Sequence, residues 1–233
     1  MLKLKLREKY MRGILIAGNE SALLNFFEAE AAKRAEHYAL AIIKNRFSDG
    51  NQLNGNTEAN NESLIQLEWN PGSPISASNL ILAAKNRLEN ISEAILICDP
   101  PSVYCAAADI KIVDVEVLAN DHIKGWFYLV RELVSTFREK GEGALALVFP
   151  ESAAGNKDDA ADLLGSAAAA SFKALTKGLL AASVSEPYIT MGFSGACTGE
   201  ETSFASFVFK HLDEKTRRSN GKFHKYGKMG FFR

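Results

Sequence analysis

At 233 residues, 47% hydrophobic and 24% charged, the chain has the composition of an ordinary globular protein and the length of one α/β domain with a single core. A formal net charge of −1 gives the whole molecule no electrostatic attraction to nucleic acid or to a membrane, so neither is expected as a partner. Residues 210–233 depart from this balance: there Lys and Arg outnumber Asp213 and Glu214, forming a basic C-terminal segment.

Cys98, Cys105 and Cys197 are scattered and show no C-x-x-C spacing, which argues against a disulfide framework and against a structural metal site. The start, MLKLKLREKYMRG, is basic but has no continuous apolar run and no small-residue cleavage site. No stretch approaches the length of a membrane span. The expectation is a soluble, cytoplasmic protein with reduced thiols.

Apolar runs and helical patterns alternate along the chain. Residues 13–17 (GILIA) read as a buried strand closed by Gly18, followed by a helix over 22–35. Residues 38–43 (YALAII) form a second strand. The polar stretch 47–62, dense in Asn and Gly and without periodicity, reads as a flexible surface loop. A third strand, 63–67, ends at Asn70-Pro71-Gly72, and Ser76 is the expected cap of a helix through Leu88. The fourth strand, 94–98, stops at Asp99-Pro100-Pro101. A long helix spans about 114–140, with Ile123, Phe127, Val130, Leu133, Val134 and Phe137 at helical spacing. Strand five covers 144–149, an Ala-rich helix 159–182, strand six 188–193 and a short helix 204–212. Residues 223–232 supply a final strand.

Short buried strands alternating with helices predict a parallel sheet covered on both faces. Right-handed crossovers make it a doubly wound, Rossmann-like α/β/α sandwich, with its ligand crevice at the carboxyl ends of the strands. No internal repeat or linker divides the chain, so one domain is expected over 1–233.

Several local features are collinear with a known pattern. Gly125 precedes an aromatic pair in the long helix, an apolar strand (GALALVFPES) runs to Ser152, Leu175-Thr176 lies in the Ala-rich helix, and Met191-Gly-Phe-Ser-Gly195 follows. In order and spacing the chain resembles the short-chain dehydrogenase/reductase family over nearly its whole length. The resemblance implies a dinucleotide loop after the first strand, where glycines let the backbone approach a pyrophosphate at a helix N-terminus. Here that segment is Ala17-Gly18-Asn19-Glu20-Ser21-Ala22-Leu23-Leu24. Gly18 alone of the glycines remains, Leu24 stands where a close-packing glycine belongs, and Glu20 puts an anion near the phosphates. As an ordinary strand–helix turn, the same segment would hold Gly18 at positive φ.

The resemblance assigns Arg46, after the second strand, to the cofactor ribose. A basic residue there favours a 2′-phosphate, hence NADP over NAD. Asn70 corresponds to an adenine-contacting Asp. Cys98-Asp99-Pro100-Pro101 replaces the family's Asn-Asn-Ala-Gly. At the reaction centre Ser152 is retained, the family's Asn reads His122, and the Tyr and Lys of its Tyr-x-x-x-Lys pair read Gly165 and Ala169. A phenol with a pKa near 10 needs that neighbouring cation to act as an acid/base. No Tyr in the chain has a Lys four residues later, so hydride transfer by the standard route is not expected. A Ser152–His122–Asp triad, with Asp99 or Asp121, would lack the G-x-S-x-G elbow.

The family also implies an oligomer through the helices around 114–140 and 159–182. The Ala167–Ala170 run allows close approach there, and Trp126, Phe127 and Phe137 supply bulk. The leading expectation is therefore a divergent member without Tyr/Lys catalysis. It would serve as a homodimeric or homotetrameric scaffold or ligand-binding protein, or pair with an active relative. The alternative is an atypical NAD(P)-dependent oxidoreductase using Ser152 and His122. A third reading has Arg217, Arg218, Lys222, Lys225 and Lys228 bind a polyanion.

Overall fold

Continuous apolar runs of four to seven residues become strands because a sheet covered on both faces buries both sides of each. A computed structural model describes residues 12–44, 46–47, 63–151, 162–196 and 199–227. Its strands are β1 (Ile14–Asn19), β2 (Tyr38–Ile43), β3 (Leu64–Leu67), β4 (Glu93–Ile97), β5 (Ala144–Pro150), β6 (Ile189–Gly195) and β7 (Lys222–Tyr226). Among the described residues they form one seven-stranded sheet ordered β3-β2-β1-β4-β5-β6-β7, every neighbouring pair parallel. The doubly wound Rossmann-like fold is therefore the observed one. β7, largely exposed and carrying Lys222 and Lys225, closes an edge that charged side chains protect from further pairing.

The helices are α1 (Ala22–Ala32), α2 (Pro74–Leu88), α3 (Ile112–Val117), α4 (Gly125–Lys140), α5 (Leu163–Ala182) and α6 (Glu201–Asp213), with a π-helical turn, Leu118–Lys124, between α3 and α4. On one face of the sheet α2, α4 and α5 bury Leu80, Trp126, Phe137 and Phe172 against Leu15, Leu96 and Leu147. On the other, α1 and α6 bury Phe27, Phe204 and Phe209 against Ile16, Ile95 and Val148. Full burial of each such side chain contributes about 1.5–3 kcal/mol, so these two layers dominate the fold's stability.

Several expectations are corrected in detail. α2 begins three residues early: Ser73 caps it, accepting from the Ser76 amide at 3.2 Å with Pro74 in the first turn, whereas the Ser76 hydroxyl accepts from the Asn70 amide at 2.8 Å. α1 stops at Ala32, short of residue 35. The long helix starts at Ile112 and is interrupted by the π turn. Gly18 is not a positive-φ turn residue; it is the fifth residue of β1, paired with Ile42 and Ile97. Its missing side chain makes room for the protein itself, because an added Cβ would lie 3.0 Å from Leu24 Cδ1 and 3.2 Å from Ile97 Cβ. Gly125 has a similar cause: a Cβ there would approach Pro71 Cβ to 2.5 Å. Of the expected loop 47–62, Phe47 is buried in the structure and 48–62 lie outside the described residues, as do the end of the final strand and Lys228.

Candidate functional site

The order 3-2-1-4 reverses direction between β1 and β4, and in an open α/β sheet the crevice at the carboxyl ends of these two strands is where a ligand enters. Here that point is bridged by the chain's own groups. Asn19, the last residue of β1 and only 2% exposed, accepts through Oδ1 from the Asp99 amide at 3.2 Å, just beyond β4. That bond fixes the amide's orientation, so Nδ2 points at His122 Nδ1, 3.3 Å away. Nδ1 is then the acceptor, and the neutral imidazole carries its proton on Nε2.

His122 comes from the π turn and is 1% exposed. Burial pushes its imidazole down to about 4; adjacent Asp121 opposes the shift and Arg46 adds to it. The ring of Phe47 stacks on it at 5.5 Å and 8°. Phe47 also belongs to a small apolar cluster with Val103, Leu118, Leu164 and Ala168. Beside it the fully buried Asp121 carboxylate receives Arg46 through two hydrogen bonds, one from Nε at 2.7 Å and a second from Nη2. Residues 46 and 47, which leave β2, thus cross from the sheet to the π turn and are fastened there by one ion pair and one ring stack.

The pyrophosphate position is equally changed. Ser21 caps α1, accepting from the Leu24 amide at 3.4 Å, and its side chain also hydrogen-bonds the Asp99 carboxyl. Burial raises the Asp99 pKa and nearby Glu201 raises it further, against the Ser21 hydrogen bond. The anion nearest this helix N-terminus is therefore a carboxyl group of the protein. A dinucleotide does not fit the described arrangement. Its phosphates would meet Asp99 and Glu201, and Gly18 offers no cradle because Leu24 fills the space above it. The path from the end of β2 to the π turn is covered by Arg46 and Phe47.

At position 165 the local chemistry is a helix cap. Asp162 Oδ1 accepts from the Gly165 amide at 2.8 Å and from the Val103 amide at 3.0 Å, while Tyr104 and Asp162 form an antiparallel bridge. A Cβ at Gly165 would lie 2.3 Å from Asp162 Oδ2. Ala169, one turn on, is partly buried and has no titratable atom. Ser152 lies outside the described residues, so its distance to His122 is not part of the geometry. Asn70 is exposed in the turn before α2, tied there by its backbone. Arg46 faces Asp121 rather than an open ribose site. In the triad reading an Asp should meet His122 Nδ1, but Asn19 does. Among the described residues no group of three or more His, Cys, Asp or Glu side chains is placed to hold a metal ion.

Sequence reasoning missed Asn19, Phe47 and Asp162. A signal existed for Asp162, a helix-capping residue three before the small-residue helix. Phe47 stood at the border of a polar run and pointed nowhere.

Neither a protein-family model nor a curated protein sequence matches the chain. Solved structures do match in fold. A variant short-chain dehydrogenase/reductase from Serratia marcescens aligns with a TM-score of 0.69 over 94% of this chain and 97% of its own at 10% identity. A short chain dehydrogenase from Mycobacterium smegmatis gives 0.68 over 95% and 94% at 12% identity. Levodione reductase gives 0.69 over 93% and 96%, also at 12%. The fold is that of short-chain dehydrogenase/reductases; identities this low carry the fold alone.

Proposed function

We propose that the chain is a divergent short-chain-dehydrogenase-like protein without Tyr/Lys hydride-transfer catalysis, acting as an oligomeric scaffold or ligand-binding protein. The observation that carries this reading is the crevice bridged by Asn19, Asp99, His122, Phe47 and the Arg46–Asp121 pair. Gly165 and Ala169 in the places of Tyr and Lys support it, since neither holds a proton to transfer. His122 makes a poor general acid at neutral pH, because burial keeps it neutral and Asn19 occupies its Nδ1.

Of the aromatics expected to supply bulk on the seam, Trp126 and Phe137 are buried in the core and Phe127 is exposed; the apolar side chains that are exposed there support self-association. Val115, Phe127 and Leu163 are 45%, 51% and 38% exposed, and the outward face of α5 exposes the small residues Ala167, Ala170 and Ala174 beside Lys173 and Lys177. Sedimentation of the wild type and of Phe127→Glu tests this, the variant dissociating to monomer. A monomeric wild type at high concentration contradicts the oligomer.

Turnover is tested with NADPH, NADH and a panel of carbonyl substrates. The proposal expects none. Cofactor oxidation that is lost in His122→Ala with the fold intact would instead establish the oxidoreductase reading through Ser152 and His122.

A further inference from the structure

A cavity of about 330 Å³ opens at the amino ends of the central strands, opposite the bridged crevice. Its wall brings together Lys140 from the end of α4, Glu142 beyond it, Ser92 before β4, and Lys215, Thr216 and Arg217 from the turn after α6. We propose that this cavity is an anion site for a phosphate group, free or carried by a small phosphomonoester.

The charge balance favours an anion. Lys140 is matched by Glu142 at 2.8 Å. The carboxylate beneath the cavity, Glu93 at 2% side-chain exposure, is met by two cations, Arg12 at 2.8 Å and Lys215 at 2.6 Å. Arg12 is shared with Asp213, which Arg34 also pairs, and Glu30 takes Arg34 and Lys33. At the cavity itself Lys140 and Lys215 thus stand against Glu142 and the underlying Glu93, which Arg12 also meets. Arg217 adds a further positive charge at the cavity mouth, where its one side-chain hydrogen bond among the described residues is a long one of 3.4 Å to the Tyr188 carbonyl. Its planar fork has N–H groups left to grip an oxyanion.

The turn that carries Arg217 is held in place. Thr216 and Ser219 cap each other reciprocally. Asn220 donates to the Ser183 carbonyl at 2.6 Å and accepts from the Thr190 amide at 2.9 Å, pinning the turn to β6 and the end of α5. The Thr216 hydroxyl accepts from the Ser219 amide, so its own proton remains to donate to a ligand. Ser92 donates inward to the Gly13 carbonyl at 3.1 Å and forms wall rather than ligand contact. A volume of this order holds a phosphate with a small attached group. The basic residues of the C-terminal segment do not act as one patch in this arrangement: Arg217 lies at this cavity, while Lys225 pairs with Glu151 at the opposite, carboxyl end.

The test is titration of the full chain with sodium phosphate against sodium chloride at matched ionic strength, by calorimetry and thermal unfolding. It is repeated on Arg217→Ala, with Arg218→Ala as the control from the same turn. Saturable phosphate binding is expected, with affinity about tenfold or more weaker in Arg217→Ala, the loss of one charge-assisted hydrogen bond, and unchanged in Arg218→Ala. Both sites are exposed, so both variants should fold, which the unfolding curve in chloride checks. Phosphate acting no differently from chloride overturns the proposal, as does equal binding by Arg217→Ala. Binding of a single-stranded oligonucleotide without binding of free phosphate overturns it in favour of a nucleic-acid surface.

Discussion

Gly165 shows how a single residue type reports the local geometry. The Asp162 carboxylate lies over its Cα and holds two amides, those of Gly165 and Val103, so the cap joins the start of α5 to the loop after β4. Gly165→Ala forces that carboxylate away. It should destabilise the protein by about 1–2 kcal/mol, the scale of losing a helix cap, measured as a shift in urea midpoint. Gly165→Tyr with Ala169→Lys should fare worse and should not create a reductase, because the tyrosine must displace the cap first. His122 makes a second residue-scale prediction. Its folded pKa of about 4 lies below the ordinary 6.5, so as pH falls through this window the unfolded chain takes up the proton first. Stability is therefore fully present above about 6.5 and declines toward 4. His224, also pushed down to about 4, first by burial and then by His211 and Lys222, adds to the same slope. Urea midpoints between pH 4 and 7 should fall toward acid in the wild type and fall less steeply in His122→Gln. Parallel slopes would contradict the buried neutral imidazole.

At the scale of elements, residues 46–47 and the π turn form one unit. Phe47→Ala removes a ring that is 5% exposed and stacked on His122, at a cost of about 3 kcal/mol. Arg46→Ala leaves Asp121 buried without its guanidinium, and Asp121→Asn should relieve much of that cost. A double-mutant cycle should show coupling of roughly 1 kcal/mol or more, Arg46 being half exposed and partly screened. Strands β1 to β6 were legible in the sequence because each is built on an apolar run, β7 (Lys-Phe-His-Lys-Tyr) being the exception, and most helices because their apolar residues recur at helical spacing. What joins these elements was not. Asn19 and His122 lie 103 residues apart, and no periodicity marks their contact. Asp121 and His122 are adjacent yet both fully buried, with Asp121 receiving Arg46 and His122 lying under Phe47; this occurs within a π turn that helical spacing does not announce. Spacing alone set Gly165 and Ala169 against the family's Tyr and Lys as an expectation, but the reason Gly165 suits its place, the Asp162 cap, required three dimensions.

For the whole molecule, the two ends of the sheet have opposite character. The carboxyl end, where this fold ordinarily receives a ligand, is bridged among the described residues by an ion pair, a ring stack and an amide contact, and it presents Asp99 and Glu201 near α1. The amino end carries an open cavity with surplus positive charge. Among the described residues no helix is long and apolar enough to cross a membrane. A frame this close to short-chain dehydrogenase/reductases, matched over more than nine-tenths of both chains, keeps its architecture because the two apolar layers stabilise it independently of the crevice. The account rests on the crevice being filled by the protein itself. Titration of the folded chain with NADPH and NADH, following tryptophan fluorescence and thermal stability together, tests this most directly. The account predicts no saturable signal up to about 1 mM of either cofactor. Saturable micromolar binding of one of them would contradict it, showing that Arg46 and Phe47 yield the crevice to a dinucleotide.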